Sequence, residues 1–566
     1  PCQHDEVPST QPERFRHAQD GGDLHDGCGE LRYPRGPGKE HKAQHEGETQ
    51  ADGAGAGLLG LFEFPYEDRD EDDVVDPEHD LQDRERDERN DAVGGEKYVH
   101  GCKCKCRNFV LMNPTTINPA NGAILATYAW HTPDETDALL AAAVRGQQTL
   151  AAMHIDERIT IIRRLASVLR ASVPTMAALI TAEMGKPLSQ ARAEVEKCAF
   201  LCDVAADMAT RALADDEVEV DGAVARVRHA PIGVVLAIMP WNFPFWQVFR
   251  FAVPSIAAGN TVLLKHAPNV TACALEIAEL FANAGFPKGV MSALIIEAER
   301  SEAVIAHTLV RGVTLTGSEK AGRAVAGLAG KHLKKVVLEL GGSDPFIVFD
   351  DANLQNSCTV GVTSRMMNAG QVCIAAKRFI VQKSAFEAFL RFQTSALQSI
   401  RIGDPTDLNT EIGPMARPDL VENIEQQVNR SIEMGAQLVC GGKRSELHPD
   451  IYLPTLLINV SKGMPVCDEE TFGPVMIAIP FETEEEAIRL ANDTRFGLGC
   501  SIWTKNSERA ERVASQIEAG AVFVNSLVKS DPRVPFGGVK NSGFGRELAQ
   551  AGIKEFMNLK TKWFFQ

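Results

Sequence analysis

The apolar positions of this chain change period along its length, and each change predicts a different kind of element. From Thr136 to Leu213 they recur at intervals of three and four, as in Ile159, Ile162, Leu165, Val168 and Leu169. That spacing puts them on one face of a helix. Gly185-Lys186-Pro187 interrupts the run and predicts two helices. Charged and β-branched residues then alternate from Glu217 to His229, which predicts an exposed hairpin or edge strands. Beyond them come short unbroken apolar runs: Val234 to Met239, Thr261 to Lys265, Gly312 to Thr316 and Val336 to Leu340. Strands covered on both faces read this way, as in parallel sheets. Helical stretches lie between them, and strand–helix alternation means an α/β doubly wound sheet. Phe346 to Phe349 opens a second α/β region running to about Asn541, and Lys560 to Phe565 adds a terminal strand. Order begins near the turn at Asn118-Pro119-Ala120-Asn121-Gly122. There are no internal repeats.

Residues 1–107 have no such periods. They hold 27 Asp/Glu and 14 Lys/Arg, so most of the chain's net charge of −18 belongs to them. A segment this polar buries too little apolar surface to offset its ordering entropy. It is expected to be disordered, or collapsed only around Leu58 to Phe64, and is as consistent with a foreign leader as with a genuine tail. Its acidity argues against nucleic acid as a partner. Cys102, Cys104 and Cys106 lack the two-residue gaps of zinc knuckles, so no metal is expected. The 566 residues exceed what one core organises, so two or three domains are expected. No stretch reads as long and apolar enough to span a bilayer, and no signal pattern opens the chain, so the expected compartment is the cytoplasm. The 13 cysteines follow no framework spacing and read as reduced thiols.

Four places suit chemistry. Cys373 follows small residues in Asn368-Ala369-Gly370-Gln371-Val372, which let the backbone turn and leave the sulfur reachable. A thiolate there would attack a carbonyl, although any single cysteine is more often structural. Glu339 ends an apolar strand before Gly341-Gly342, at the sheet edge where open α/β sheets bind ligands. It suits a general base or, equally, a cap or ion pair. Asn242, inside Pro240-Trp241-Asn242-Phe243-Pro244, suits an oxyanion donor or a turn. Thr316-Gly317-Ser318 with Gly322 starts a helix whose N–H groups suit a pyrophosphate.

Taken in order, these segments resemble the aldehyde dehydrogenase superfamily. The carrying residues are Pro240 to Pro244, Lys265, Thr316-Gly317-Ser318 with Gly322, Glu339-Leu340-Gly341-Gly342, and Gly370-Gln371-Val372-Cys373. Glu469-Glu470-Thr471-Phe472-Gly473-Pro474 and Pro535-Phe536-Gly537-Gly538 with Ser542-Gly543 complete the set. Glu339 and Cys373 stand 34 positions apart, as the family pattern requires. Further segments are similar to bacterial and cyanobacterial succinate-semialdehyde dehydrogenases: Met239 to Val248, Lys265 to Asn269, Gly341 to Phe346 and Lys529 to Arg533. The resemblance spans residues 113–566. It implies a Rossmann-type cofactor domain from 113–208 and 232–339, an α/β catalytic domain from 340–541, and oligomerisation strands at 209–231 and 557–566. Cys373 would attack the aldehyde, Asn242 and the Cys373 N–H would hold the oxyanion, and Glu339 would activate water. Trp241, Lys265, Gly317, Ser318, Gly322, Glu470 and Phe472 would hold NAD(P).

For a substrate with a far carboxylate, the resemblance implies Arg250 as the anchoring arginine, with Trp246 and Ser530 beside it. Arginine suits the task because its fork meets a carboxylate in two places. The animal enzymes' second arginine, six positions before the nucleophile, is Met367 here, and Arg365 is the candidate replacement. Their second cysteine, which permits a redox disulfide, is Ala375 here. Many NAD-preferring relatives carry a glutamate three positions after the ribose-binding lysine. This chain has Pro268, so a 2′-phosphate meets no repulsion, and a protonated His266 would favour it. The implied reaction is oxidation of succinate semialdehyde. Glutarate semialdehyde or another aldehyde, and a catalytically silent protein on this fold, are the alternatives. A homodimer or homotetramer is implied.

Overall fold

The computed structural model describes residues 113–565. The acidic head and the Cys102–Cys106 run lie outside the described residues. Three helices, not two, fill the first helical region: Pro133–Ala152, Ile155–Met184 and Leu188–Ala212. The extra break falls at Met153-His154. There the His154 ring caps the next helix by accepting the Asp156 N–H, and Glu157 bonds back to the His154 N–H at 2.8 Å. Histidine is an uncommon cap, which is why the sequence hid it. The second break is as expected, with Gly185 left-handed at φ 75°.

The Ile155–Met184 helix also corrects the membrane expectation by length and composition. It contains an 18-residue window of mean hydropathy 1.5. Leu165, Leu169 and Ile180 on its inward face pack against Val195, Cys198 and Cys202 of the Leu188–Ala212 helix in the main core, so it is a core helix here.

Two sheets carry the rest. The first has six strands. Val234–Met239 lies between Val310–Thr316 and Thr261–His266, all parallel, with Met291–Ala293 and Lys335–Glu339 continuing outward. Its outer edge is closed by Gly543–Phe544, which runs antiparallel to Lys335–Glu339. The second sheet has seven strands, with Asp344–Val348, Ala376–Gln382 and Val475–Phe481 side by side and parallel. The fold is α/β, with a Rossmann-like parallel sheet as expected. Asp216–Val220 and Ala223–Pro231 form the anticipated hairpin, and Met557–Phe565 pairs along the second of them.

The Trp246–Ala257 helix packs against the first sheet and against the Ile155–Met184 and Leu188–Ala212 helices, and is buried at every residue. A helix buried all round should be apolar all round, yet it carries Gln247, Arg250 and Ser255. Each polar group there needs a partner, because an unpaired charge in such surroundings is costly.

Candidate active site

The loop before Cys373 is held in an unfavourable backbone conformation. Asn368, Ala369 and Gly370 are successively left-handed, at φ 53°, 53° and 75°. Two of them are not glycine, and such residues persist only where surroundings over-determine them. Here Asn368 Nδ2 donates to the Asn242 carbonyl at 2.8 Å, and Gln371 Nε2 donates to the Asn368 carbonyl at 3.0 Å. Gln371 Oε1 accepts the Ala416 N–H at 3.0 Å. Gly370 is required outright, since a Cβ would stand 2.2 Å from the Gly473 carbonyl oxygen. The loop brings Cys373 to a cavity wall, partly exposed. Burial pushes its thiol up to about 11, while the charges of Arg250 and Lys377 pull the other way. The resting sulfur is therefore a thiol near neutral pH, and reaction needs a base or a stronger local field.

Glu339 ends its strand between Thr316 and Gly543 and is 2% exposed. Its Oε1 accepts no hydrogen bond from the described residues. Burial raises its pKa well above the carboxylate range, with Arg250 opposing and Glu547 reinforcing the rise. A carboxyl so placed can hold a proton near neutral pH and exchange it with water or a thiol. The Asn242 amide donates to the Gln371 carbonyl at 3.0 Å, two residues before the nucleophile. An Nδ2 group has two protons, so one remains for an oxyanion. The structure thus brings Asn242 to the Cys373 loop, and Arg250 near both Cys373 and Glu339.

Two cavities meet at the nucleophile's far side. The inner one, about 110 Å³, is lined by Cys373, Phe243, Trp246, Arg250, Lys197 and Ser530 among others. The outer one, about 370 Å³, shares Lys197, Phe243, Trp246 and Met367 with it. Ser530 and Trp246 line the inner cavity with Cys373, and Trp246 Nε1 donates to Ser530 Oγ at 2.9 Å.

The two candidate arginines are placed differently. Arg250 reaches the inner cavity, but it forms an ion pair with Glu547, both side chains being 2% exposed. It also donates to Thr316 Oγ1 at 3.3 Å and lies 4.7 Å from the Phe536 ring centre. The pair leaves Arg250 on the cavity wall beside Cys373, where its charge is felt by both Cys373 and Glu339. The fully buried helix around Arg250 explains the pair: its charge required an internal partner. Arg365 lines neither cavity. Its Nη2 donates to the carbonyls of Gly370 at 3.2 Å, Thr471 at 2.9 Å and Gly473, so it braces the nucleophile loop.

The cofactor side fits a dinucleotide. Lys265, near the end of its strand, is buried and has no ion pair among the described residues. Ser318 caps the Glu319–Lys331 helix by accepting the Ala321 N–H at 3.3 Å, and Gly317 beside it is uncrowded. Gly322 seats that helix on the sheet, since a Cβ would come 2.5 Å from Leu340. Trp241 and Phe472 meet edge to face at 5.9 Å. Glu470 is turned inward, accepting the Gly342 N–H at 3.1 Å with Lys377 Nζ 3.9 Å away. The His266 expectation is corrected. Its ring is buried, accepts the Ala267 N–H at 2.9 Å and faces the Pro244 carbonyl at 2.9 Å. Burial lowers its pKa to about 4, so at neutral pH it offers no charge to a phosphate.

Two residues of the site were missed from sequence: Glu547, the partner of Arg250, and Lys197. Gln190, Ala193, Glu194 and Lys197 line one cavity at helical spacing. Polar residues inside an otherwise apolar helical stripe were the available signal.

A family model described as the aldehyde dehydrogenase family matches residues 112–562. The chain is 49% identical to a probable NADP(+) succinate-semialdehyde dehydrogenase of Synechocystis sp., over 79% of this chain and 99% of that protein. It is 44% identical to the succinate semialdehyde dehydrogenase [NAD(P)+] Sad of Escherichia coli, over 79% and 97%. The crystal structure of succinic semialdehyde dehydrogenase from Streptococcus pyogenes in complex with NADP+ is 36% identical, with a TM-score of 0.78, covering 80% of this chain and all of that one. Motif order, the geometry around Cys373 and these likenesses agree, and the chain belongs to the aldehyde dehydrogenase family.

Proposed function

We propose that this protein oxidises succinate semialdehyde to succinate with NAD(P). The observation that carries the reading is the cavity pairing Cys373 with a polar cluster of Lys197, Ser530 and Trp246 at its other wall. The names of the relatives support the same substrate and cofactor.

The Cys373 sulfur adds to the aldehyde carbon as its proton passes to the ionised Glu339 carboxylate, which releases it to solvent before hydrolysis, and Asn242 Nδ2 with the Cys373 N–H holds the oxyanion. Bound NAD(P) supplies the hydride acceptor. The acyl group then rests on Cys373 as a thioester. Glu339 takes a proton from water as that water attacks the acyl carbon, releasing the acid and the thiol. Lys265 and Glu470 would hold the ribose hydroxyls, with Glu470 leaving its inward position. Gly317 and Ser318 would hold the pyrophosphate, with Gly322 keeping their helix close and Trp241 and Phe472 beside the dinucleotide. Pro268 leaves a 2′-phosphate unopposed by a carboxylate at that position, so NADP is accepted.

Residues 113–208 and 232–339 form the cofactor domain and 340–541 the catalytic domain in this reading. The exposed Trp563, Phe564 and Phe565 of the terminal strand suit burial in a homo-oligomer. The protein acts in the cytoplasm. Reduced-cofactor formation with succinate semialdehyde and with butanal, each with NAD and with NADP, tests the reading. Strong preference for the semialdehyde is expected, and equal rates would refute the substrate.

A further inference from the structure

We infer that Lys377 is a positioning residue for the oxyanion site: it holds the peptide plane between Val372 and Cys373, and its charge strengthens that peptide's N–H as a donor. The inference rests on the reading of Cys373 as the nucleophile.

Lys377 is the second residue of the Ala376–Gln382 strand and is buried. Its side chain turns back over the nucleophile loop. Nζ donates to the Cys373 carbonyl at 2.8 Å and to the Val372 carbonyl at 3.3 Å. Among the described residues it makes no other hydrogen bond, and its one ion-pair partner is Glu470 at 3.9 Å. Asp344 is a second buried acid near it. One oxygen of Asp344 accepts the Gly499 N–H at 3.1 Å, and the other has no partner among the described residues. Burial lowers the lysine's pKa, while Glu470 and then Asp344 favour its charged form. A buried ammonium is costly, and the hydrogen bonds that offset this cost all go to the two carbonyls flanking Cys373.

A peptide unit is planar, with its C=O and N–H pointing opposite ways. The Val372 carbonyl and the Cys373 N–H belong to one such unit. Its oxygen is held twice, by Lys377 and by the Ala375 N–H at 3.2 Å. Fixing the oxygen fixes the direction of the N–H, which donates to no backbone acceptor among the described residues. A cation on the oxygen also draws electrons from the nitrogen through the amide resonance. Hydrogen bonds linked in this way strengthen one another where the dielectric is low. A donor set beforehand needs no reorganisation as charge develops on the substrate oxygen. The Cys373 carbonyl is closed in from another side by Gly342, where a Cβ would stand 2.7 Å from it.

The test uses two probes of the cysteine, without cofactor or aldehyde. With p-nitrophenyl acetate the thiolate adds to the carbonyl carbon, charge collects on the oxygen, and p-nitrophenolate leaves as the acetyl–sulfur bond is kept. With iodoacetamide the thiolate displaces iodide and no oxyanion arises. Both rates depend on the thiolate fraction, which cancels in their ratio. Lys377→Met should lower the acylation-to-alkylation ratio at least tenfold. Lys377→Gln, which keeps a donor but no charge, should lower it at least threefold, and it carries the test alone if the methionine variant does not fold. A folded variant whose ratio stays within twofold of wild type would overturn the inference, since a lysine that only braces the loop has no reason to favour one probe. A wild type that is alkylated but never acylated would overturn it as well. Acylation of Cys373→Ala at the wild-type rate would instead remove the nucleophile reading on which the inference rests.

Discussion

The two ends of the inner cavity are built on different principles. At the nucleophile end, Cys373, Glu339 and Asn242 are supplied by short segments whose local conformation fixes each group: a left-handed loop, a strand end and a rigid turn. At the far end, Lys197 and Trp246 come from two helices and Ser530 from a loop 284 positions beyond Trp246, and only tertiary packing brings them together. At the first end burial raises the thiol to about 11 and raises the carboxyl as well, which makes the carboxylate a stronger base when it is ionised. The second sets the Lys197 ammonium, which has no ion pair among the described residues, beside the Ser530 hydroxyl. A reaction needs protons that can move at one end and a fixed charge at the other.

The largest expected effect is at the nucleophile end. Cys373→Ala should reduce oxidation by a factor on the order of 10⁴ or more, read as steady-state cofactor reduction. Turnover retained by that variant would remove the nucleophile and the contrast with it. Gly370→Ala is expected next. It puts a Cβ 2.2 Å from the Gly473 oxygen and a side chain at φ 75°, and should cost about 1–3 kcal/mol of stability along with most activity. Unchanged melting would show that the loop is not over-determined.

Arg250 sharpens the comparison because it touches both ends. Arg250→Met leaves Glu547 buried and unpaired, at a cost of about 3–5 kcal/mol. It should depress use of succinate semialdehyde and butanal alike, with Glu547→Gln recovering part of the stability in the double variant. A loss confined to the semialdehyde would return Arg250 to the anchoring role.

The smallest effect is in pH. Burial first, and then the charge of Arg250, lowers Lys197 to about 8. Facing it are Glu194 and Cys198 on its own helix, Arg250 on the Trp246–Ala257 helix, Asp531 and Lys529 on the 529–533 loop, and Glu411 across the outer cavity. The lysine is charged below that pKa and neutral above it, so positive charge on the far wall falls as pH rises. The semialdehyde-to-butanal ratio of kcat/KM should therefore be flat below about 8 and fall above it, the contributions of Cys373 and Glu339 cancelling in the ratio. A ratio constant to pH 10 would place the carboxylate on a guanidinium.

The same contrast explains what the sequence made legible. The parallel strands, the Gly185 helix stop, the 216–231 hairpin and the terminal strand follow from local period and turn chemistry. Asn242, Glu339 and Cys373 sit in contiguous motifs, so each was found by position. The Arg250–Glu547 pair joins residues 297 positions apart, and nothing local to Arg250 names its partner. What was local was the warning, an arginine inside a helix apolar on all sides. His266 shows the limit from the other direction. Its place in the motif suggested a charge, but burial removed it, and burial is a tertiary property.

The central claim, acyl transfer through Cys373 with Glu339 as the base for hydrolysis, is tested most directly in Glu339→Gln. The variant is mixed with succinate semialdehyde and NADP, quenched in acid, digested and read by mass spectrometry, with NADPH absorbance recorded in the same mixing. The account predicts a burst of about one NADPH per site, negligible steady turnover, and a succinyl group on the peptide containing Cys373. Undiminished steady turnover with no acyl peptide, or a succinyl group on a different cysteine, would contradict it.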